Sequence, residues 1–242
     1  MKFELHHSAT AALLVLAASA AQAATVTLTS ITGTWFEPNP LSSITSNTGG
    51  GTANTSIRWD ASGYDFNTVA SAAVLVPPSP SANFALGSFS HINEPIFTSI
   101  TGVKLKVTAN IDVDGTDVGL RNFFFQFIHE ETPNGGQTCP YGGLNDQGVN
   151  VNGCADRVLV QFIDSSESFT IGADTYTLNV FGFQSGNSAI TSDFLTAELL
   201  TNTANLIANV TLRSSLTVPE PGTLALAGLS LVGLAAMRRR AS

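Results

Sequence analysis

Hydrophobic and polar positions alternate most regularly in the segment GVKLKVTANIDVDG, residues 102–115. Val103, Leu105 and Val107 are separated from one another by lysines. A period of two residues places one set of side chains on a buried face and the other set in water. The pattern predicts a half-buried antiparallel strand.

Comparable runs recur between turn-rich segments, and no helical pattern interrupts them between residues 24 and 218. Strands without helices indicate an all-β fold, and their number favours a single β-sandwich of jelly-roll or immunoglobulin-like type. Residues 39–54 and the sequence VPPSP at 76–80 are predicted to be loops. The other predicted strands are Thr25–Trp35, Thr55–Trp59, Phe84–Ile92, Asn122–Glu130, Arg157–Ile163, Thr175–Phe183 and Asn205–Arg213.

The predicted strand NFFFQFIHE is apolar on both faces. Phe123, Phe125 and Phe127 point to one side, whereas Phe124 and Ile128 point to the other. Such a strand is expected in the middle of a sheet that is covered on both sides.

The N-terminus has the features of a signal peptide. A lysine precedes an apolar stretch at residues 11–18, and Ala-Gln-Ala at 21–23 supplies the small-x-small pattern that signal peptidase recognises. We expect residues 1–23 to be removed on export, which leaves one domain at residues 24–217.

The C-terminus contains an uncharged apolar run at residues 222–237, followed by three arginines at 238–240. As a helix the run would extend about 24 Å, somewhat less than the roughly 30 Å hydrocarbon core of a bilayer. The arginines would remain on the cytoplasmic side. The run therefore predicts a short membrane-inserted helix.

Pro219, Glu220 and Pro221 stand directly before this helix. The three-part tail at 218–242 resembles the PEP-CTERM sorting signal of Gram-negative bacteria that build an exopolysaccharide matrix. The resemblance implies that an exosortase cuts near the Pro-Glu-Pro motif after transient insertion in the inner membrane. It further implies release of the domain to the cell surface or the biofilm matrix. A permanent single-span anchor is the alternative.

Charge and cysteine content restrict the partners and the compartment. The mature region carries six basic and sixteen acidic side chains, a net charge of −10, which argues against nucleic acid. Anionic polysaccharide would be repelled unless cations bridge the two, so neutral sugar is the easier ligand. Cys139 and Cys154 are expected to form a disulfide after export, closing a loop of about fifteen residues. No further ligands stand near them for a zinc site.

The mature region has two histidines, His91 and His129, and alternation places both on inward faces. In one hypothesis they form a metal cluster or an acid-base pair with Glu131. In the other, which we prefer, each buried imidazole caps backbone groups at the end of a strand. An enzyme would require the two imidazoles to lie within about 5 Å of each other beside a cleft.

Two further patterns suggest ligands. The segment DVDGTDVG at 112–119 has three aspartates that suggest calcium, but it lacks the ligand spacing of an EF-hand and favours a hairpin turn at Asp114-Gly115. Asp146 and Asp156 are further oxygen donors for a calcium site. The aromatic residues Trp35, Trp59, Tyr64 and Tyr141 suit either sugar stacking or the core, and their exposure distinguishes the two.

Several segments occur in an order and spacing that resemble the THxN family of PEP-CTERM proteins. The namesake tetrapeptide corresponds to Ser90-His91-Ile92-Asn93, with serine in place of threonine, and FIHEE contributes His129 and Glu130. The resemblance implies location and assigns these residues no chemistry. The segments are SITGTWFEP, TSIRWD, LGSFSHINEPI, FIHEETPN, CADRVLV, YTLNVFGF and LTAELLTNTANLIANVTL.

Together these patterns predict an exported, non-catalytic surface or matrix protein, with no catalytic residue, metal or other cofactor. One alternative is a carbohydrate-binding module of the biofilm matrix, which needs an exposed aromatic platform. The other is an enzyme with its site around His91 and His129.

Overall fold

The computed structural model describes residues 23–77, 79–162 and 168–214. They form an all-β structure with short 3-10 turns at Leu41–Ser43 and Gly148–Asn150. The strands are β1 Ala24–Asn39, β2 Ile44–Thr48, β3 Asn54–Trp59, β4 Ser62–Thr68, β5 Ser71–Val76, β6 Phe84–Asn93, β7 Gly102–Val113, β8 Thr116–Glu130, β9 Asp156–Phe162, β10 Ser168–Ile171, β11 Asp174–Gln184, β12 Asp193–Thr196 and β13 Leu200–Ser214.

The strands make two curled antiparallel sheets. The first sheet has the order β12-β9-β8-β7-β1-β5, and the second has the order β10-β11-β13-β6-β4-β3-β2. β7 and β8 are joined by a tight turn in which Val113 pairs with Thr116. Asp114 and Gly115 both have positive φ there, which confirms the predicted hairpin.

The core lies between the sheets and is rich in aromatic rings. Trp35 and Phe127 from the first sheet contact Tyr64, Phe89 and Phe183 from the second. All five side chains are buried. Burial of such rings is the main force holding the two sheets together.

Two predictions about strands need correction. Residues 39–54 are not one loop, because they include a 3-10 turn and the strand β2 at the edge of the second sheet. β2 is largely exposed, so it has no hydrophobic alternation to reveal it. The β8 run NFFFQFIHE does lie inside its sheet, but its second face is only half-buried, with Phe124 packed edge-on against Phe36.

The predicted signal peptide, the Pro219-Glu220-Pro221 motif and the hydrophobic run at 222–237 lie outside the described residues. Within the part of the chain that the structure describes, no helix has the length and apolar character to cross a bilayer. The predicted Cys139–Cys154 disulfide is present and closes the loop between β8 and β9.

Candidate functional site

A buried polar cluster lies between the two sheets, where β6, β8 and β12 end and β9 begins. His91 comes from β6 of the second sheet, whereas His129 and Asp156 come from β8 and β9 of the first. Glu131 directly follows β8, and Glu198 lies in the short connection between β12 and β13. Both sheets therefore contribute to one site.

The two imidazoles meet at the centre of this cluster. His91 and His129 are 0% and 3% exposed, and their ring centroids are 5.1 Å apart. Trp59 packs against both rings. The prediction that both histidines point inward is confirmed, and the two rings lie at about the separation that an enzyme would require.

Side chains, and not backbone groups, are the partners of the imidazoles. Nδ1 of His91 lies 2.8 Å from Oγ1 of Thr196. Nδ1 of His129 lies 2.6 Å from the Tyr64 hydroxyl, and its Nε2 lies 3.3 Å from Oε2 of Glu131. The preferred hypothesis, in which the histidines cap backbone groups, is therefore wrong. The ends of the strands place hydroxyl and carboxylate side chains, and not backbone groups, within hydrogen-bond distance of the imidazoles.

Three carboxylates surround the imidazoles. Oδ1 of Asp156 accepts a hydrogen bond from the backbone N–H of Thr132 at 2.7 Å and lies 3.2 Å from the Thr132 hydroxyl oxygen. Its Oδ2 is buried and receives no hydrogen bond from any described residue, and the same holds for both oxygens of Glu198 and for Nε2 of His91. Unpaired buried polar atoms are costly, so their convergence at one point requires an explanation.

Burial and mutual repulsion shift the pKa values of these groups. Burial, reinforced by the nearby Glu131, raises the pKa of Asp156 to about 8 and that of Glu198 to about 7. The amides of Asn134 and Asn93 oppose the rise of the Glu198 pKa, although neither forms a well-directed hydrogen bond with that carboxylate. Burial, with the neighbouring His129 ring, lowers the pKa of His91 well below its ordinary value.

The donor atoms are close enough to share an ion. One donor atom from each of His91, His129 and Asp156 lies within 4.8 Å of the others, and so does one from each of Glu131, Asp156 and Glu198. Asp156 belongs to both groups. The arrangement thus offers two nitrogen and up to three oxygen ligands around one carboxylate.

The other predicted motif residues have different surroundings. Ser90 lies 2.8 Å from the Thr203 hydroxyl on the neighbouring strand β13. Asn93 borders the cluster and donates its amide to the Thr196 carbonyl at 2.9 Å. Glu130 points away from the cluster and pairs with Arg157. Of these two adjacent glutamates, Glu131 is therefore the one that reaches His129.

The aromatic residues do not form the platform that sugar stacking needs. Trp35, Trp59 and Tyr64 are at most 1% exposed, and they belong to the core. Tyr141 is half-buried beneath the Arg157 guanidinium, 4.4 Å from its ring centroid. These four rings are thus unavailable for stacking on a sugar.

The aspartates at 112–119 serve the hairpin. Asp112 accepts a hydrogen bond from the Gly115 N–H at 2.8 Å, and Asp114 accepts one from the Thr25 N–H at 2.7 Å. Asp117 accepts from the Gly119 N–H at 2.9 Å. Each of these carboxylates therefore has a local structural role in the hairpin.

An open groove adjoins the cluster at the protein surface. Glu131 and Thr132 line its inner wall, and the fully exposed ring of Phe97 stands at its edge. The side chain of Glu131 is 23% exposed, whereas that of His129 is 0% exposed. The groove therefore reaches the carboxylate edge of the cluster and stops before the imidazoles.

Three members of the cluster are not predicted from the sequence as partners of the histidines: Asp156, Thr196 and Glu198. The sequence suggests Asp156 only as a calcium donor. It stands two residues after Cys154, at the start of a strand whose centre is the hydrophobic run Val-Leu-Val, and Glu198 stands in the segment LTAELL. An acid at an inward-facing strand end is the signal that could have identified them.

Comparisons with known proteins concern the C-terminal tail. Residues 217–240 match the family model of the PEP-CTERM protein-sorting motif. Comparison with curated proteins found no match. The motif implies that this chain is an exported protein targeted to an exosortase.

Proposed function

We propose that residues 24–217 form a single β-sandwich domain that works without catalysis at the cell surface or in the exopolysaccharide matrix of a Gram-negative bacterium. The sorting motif at 217–240 carries the proposal, because an exosortase substrate is processed at the membrane during export. The net charge of −10 favours solubility of the domain, and contact with matrix polysaccharide would then involve neutral sugar or bridging cations.

The non-catalytic role is supported by the enclosure of the polar cluster. A substrate needs access to the reacting groups, but His91 and His129 are buried between the sheets and the groove ends at Glu131 and Thr132. The 5.1 Å separation of the rings is the observation that favours the alternative of an enzyme. We rank the enzyme hypothesis second because neither imidazole is among the residues that line the groove.

We further propose that the chain is a member of the THxN group. The tetrapeptide residues His91 and Asn93 both lie in or beside the buried cluster, and Ser90 anchors β6 to β13. On this view the tetrapeptide maintains the inside of the domain and does not form an exposed binding surface.

Fractionation of the native bacterium tests the proposed location. The wild-type protein should appear at the surface or in the matrix without its tail, as measured by antibody detection and intact mass. The triple variant P219A/E220A/P221A should remain full-length in the inner membrane. The double variant S215A/L216A, just upstream of the motif, serves as the control and should be processed normally. Retention of full-length wild-type protein in the inner membrane would indicate a permanent anchor instead.

A further inference from the structure

The buried cluster has lone pairs that no described group neutralises. Nε2 of His91, Oδ2 of Asp156 and both carboxylate oxygens of Glu198 are buried without a hydrogen-bond donor among the described residues. A core that merely tolerated polar groups would pair each of them with a donor. The Nε1–H of Trp59, whose ring packs against both imidazoles, is also without a partner among the described residues. Most of the unpaired atoms are nevertheless oxygen acceptors crowded together, which is the arrangement that a cation stabilises.

The hydrogen bonds around the histidines orient these lone pairs inward. In the tautomer with its proton on Nδ1, His91 donates to the Thr196 oxygen at 2.8 Å, while the Thr196 hydroxyl donates to the Asp156 carbonyl at 3.4 Å. Nε2 of His91 then carries the lone pair. A ligand histidine is typically held this way, with its other ring nitrogen donating to an oxygen.

His129 would be held in a comparable way once metal is bound. It would then carry its proton on Nδ1 and donate to the Tyr64 oxygen at 2.6 Å, whereas in the metal-free protein the Tyr64 hydroxyl donates to Nδ1 and Nε2–H faces Oε2 of Glu131 at 3.3 Å. Two acceptors at that distance repel each other unless a proton or a metal ion lies between them.

We propose that His91, His129 and Asp156 bind one zinc ion between the two sheets, with Glu131 or Glu198 supplying a further oxygen ligand. Zinc combines imidazole nitrogen with carboxylate oxygen and prefers four ligands. The donor atoms of His91, His129 and Asp156 lie within 4.8 Å of one another, and Glu131 and Glu198 form a second group of this kind with Asp156. Adjacent ligands of a tetrahedral zinc are separated by about 3.3 Å. Binding would therefore draw the donors inward.

The ligand set distinguishes zinc from calcium. Calcium takes six to eight oxygen ligands, so two imidazoles at the centre of the cluster are a poor match for it. Imidazole nitrogens favour zinc and neighbouring first-row transition metals. This places the metal site away from the aspartates at 112–119 that first suggested calcium.

The proposed ion would act as a clip between the sheets. His91 belongs to the second sheet, and His129 and Asp156 belong to the first, so one ion would connect both. Glu131 lines the surface groove and provides a route for the metal to enter. A structural role for the ion is compatible with the absence of substrate access that supports the proposed function.

Metal analysis of the full-length chain provides the test. The protein is produced with its export signal in a Gram-negative host, purified in mild detergent without chelator, and analysed for metal by mass spectrometry. After chelator treatment it is titrated with zinc chloride and, separately, with calcium chloride. We expect one equivalent of zinc, zinc affinity well above that for calcium, and a higher melting temperature with zinc. X-ray absorption at the zinc edge should show scattering from two imidazoles.

Three variants test which side chains bind the zinc ion. H91Q and D156N should each weaken zinc binding by about 100-fold or more. D156N removes one of the crowded negative charges, so the metal-free variant should fold at least as well as wild type. E130Q is the matched control, because Glu130 is next to Glu131 in sequence but points outward to Arg157. It should bind zinc normally.

The proposal is overturned if the purified protein lacks stoichiometric metal and the stripped protein does not gain stability with zinc. It is equally overturned if calcium binds as tightly as zinc, or if folded D156N binds zinc as tightly as E130Q does.

Discussion

The hydroxyl of Tyr64 lies 2.6 Å from Nδ1 of His129, and this hydrogen bond connects the two sheets. Tyr64 belongs to β4 of the second sheet, whereas His129 belongs to β8 of the first. Both side chains are buried. Burial, reinforced by Asp156 and Glu131, raises the pKa of Tyr64 well above its ordinary value, so the hydroxyl keeps its proton.

We predict that Y64F lowers the free energy of unfolding by about 1–3 kcal/mol, because the aromatic ring remains and a buried nitrogen of His129 loses its partner. Urea unfolding followed by intrinsic fluorescence measures the change. Y176F is the control, since Tyr176 is also buried and stacks on Phe169, but its hydroxyl has no hydrogen-bond partner among the described residues. Its effect should stay below about 0.5 kcal/mol. Equal effects for the two variants would show that the bond to His129 adds nothing.

The disulfide holds the loop that leads into the cluster. Cys154 lies two residues before Asp156, and its carbonyl accepts a hydrogen bond from the Thr132 hydroxyl at 2.6 Å. We predict that C139S/C154S lowers the free energy of unfolding by about 3 kcal/mol, because the loop of fifteen residues gains freedom in the unfolded chain.

The same variant should bind zinc more weakly than wild type, because Asp156 and Thr132 lose a fixed neighbour. Calorimetric titration measures the affinity, and the single variant Q137A, within the same loop, is the control. Unchanged zinc affinity in folded C139S/C154S would mean that β9 alone positions Asp156.

Two glycines distinguish the free-energy cost of backbone strain from that of a steric clash. Gly115 in the β7–β8 turn has φ +81 and open space where a Cβ would lie, so G115A should cost only about 1 kcal/mol from the left-handed backbone. Gly182 in β11 has φ +149, and a Cβ there would lie 1.9 Å from the Thr191 carbonyl oxygen. We predict a cost of at least about 3 kcal/mol for G182A. Thermal unfolding of both variants measures the difference, and similar melting temperatures would contradict it.

Much of the fold follows from local patterns in the sequence. Alternation reveals β7 and β8, and Asp114-Gly115 reveals the turn that joins them. The missed strands β2, β4, β5, β10 and β12 lack this information for different reasons. β2 is polar and exposed, and β4 contains glycine, aspartate and asparagine. β5 is a short edge strand that begins Ser-Ala-Ala, and β10 and β12 have only four residues each. Their neighbours in the sheet, and not their own composition, make them strands.

The candidate site could be predicted only in part. The alternation of polar and apolar residues predicts that His91 and His129 point inward. Glu131 is predicted to lie near His129 because only one residue separates them in the sequence. Thr196 lies 105 residues from His91, and Asp156 lies 24 residues from Thr132. Those contacts depend on how the strands pair and on how the two sheets face each other. No periodicity within a single strand contains that information.

The crowded acids predict an unusual pH dependence for the metal-free protein. Burial raises the pKa of Asp156 from 3.8 to about 8 and that of Glu198 from 4.5 to about 7. At a pH between the pKa of the unfolded chain and the pKa of the folded protein, each carboxyl group holds a proton in the folded state and has lost it in the unfolded state. The stability of the metal-free protein therefore falls as pH rises from about 4 to about 8, and it levels off above that range.

Urea unfolding in the presence of a chelator, repeated across this pH range, measures the slope. D156N should show a shallower decline because it lacks one of the two raised groups, whereas D65N should follow wild type, since Asp65 pairs with Arg58 outside the cluster. A metal-free protein whose stability stays constant or rises over the same range would show that these carboxylates ionise normally. In that case the repulsion among Glu131, Asp156 and Glu198 would have to be relieved without bound protons.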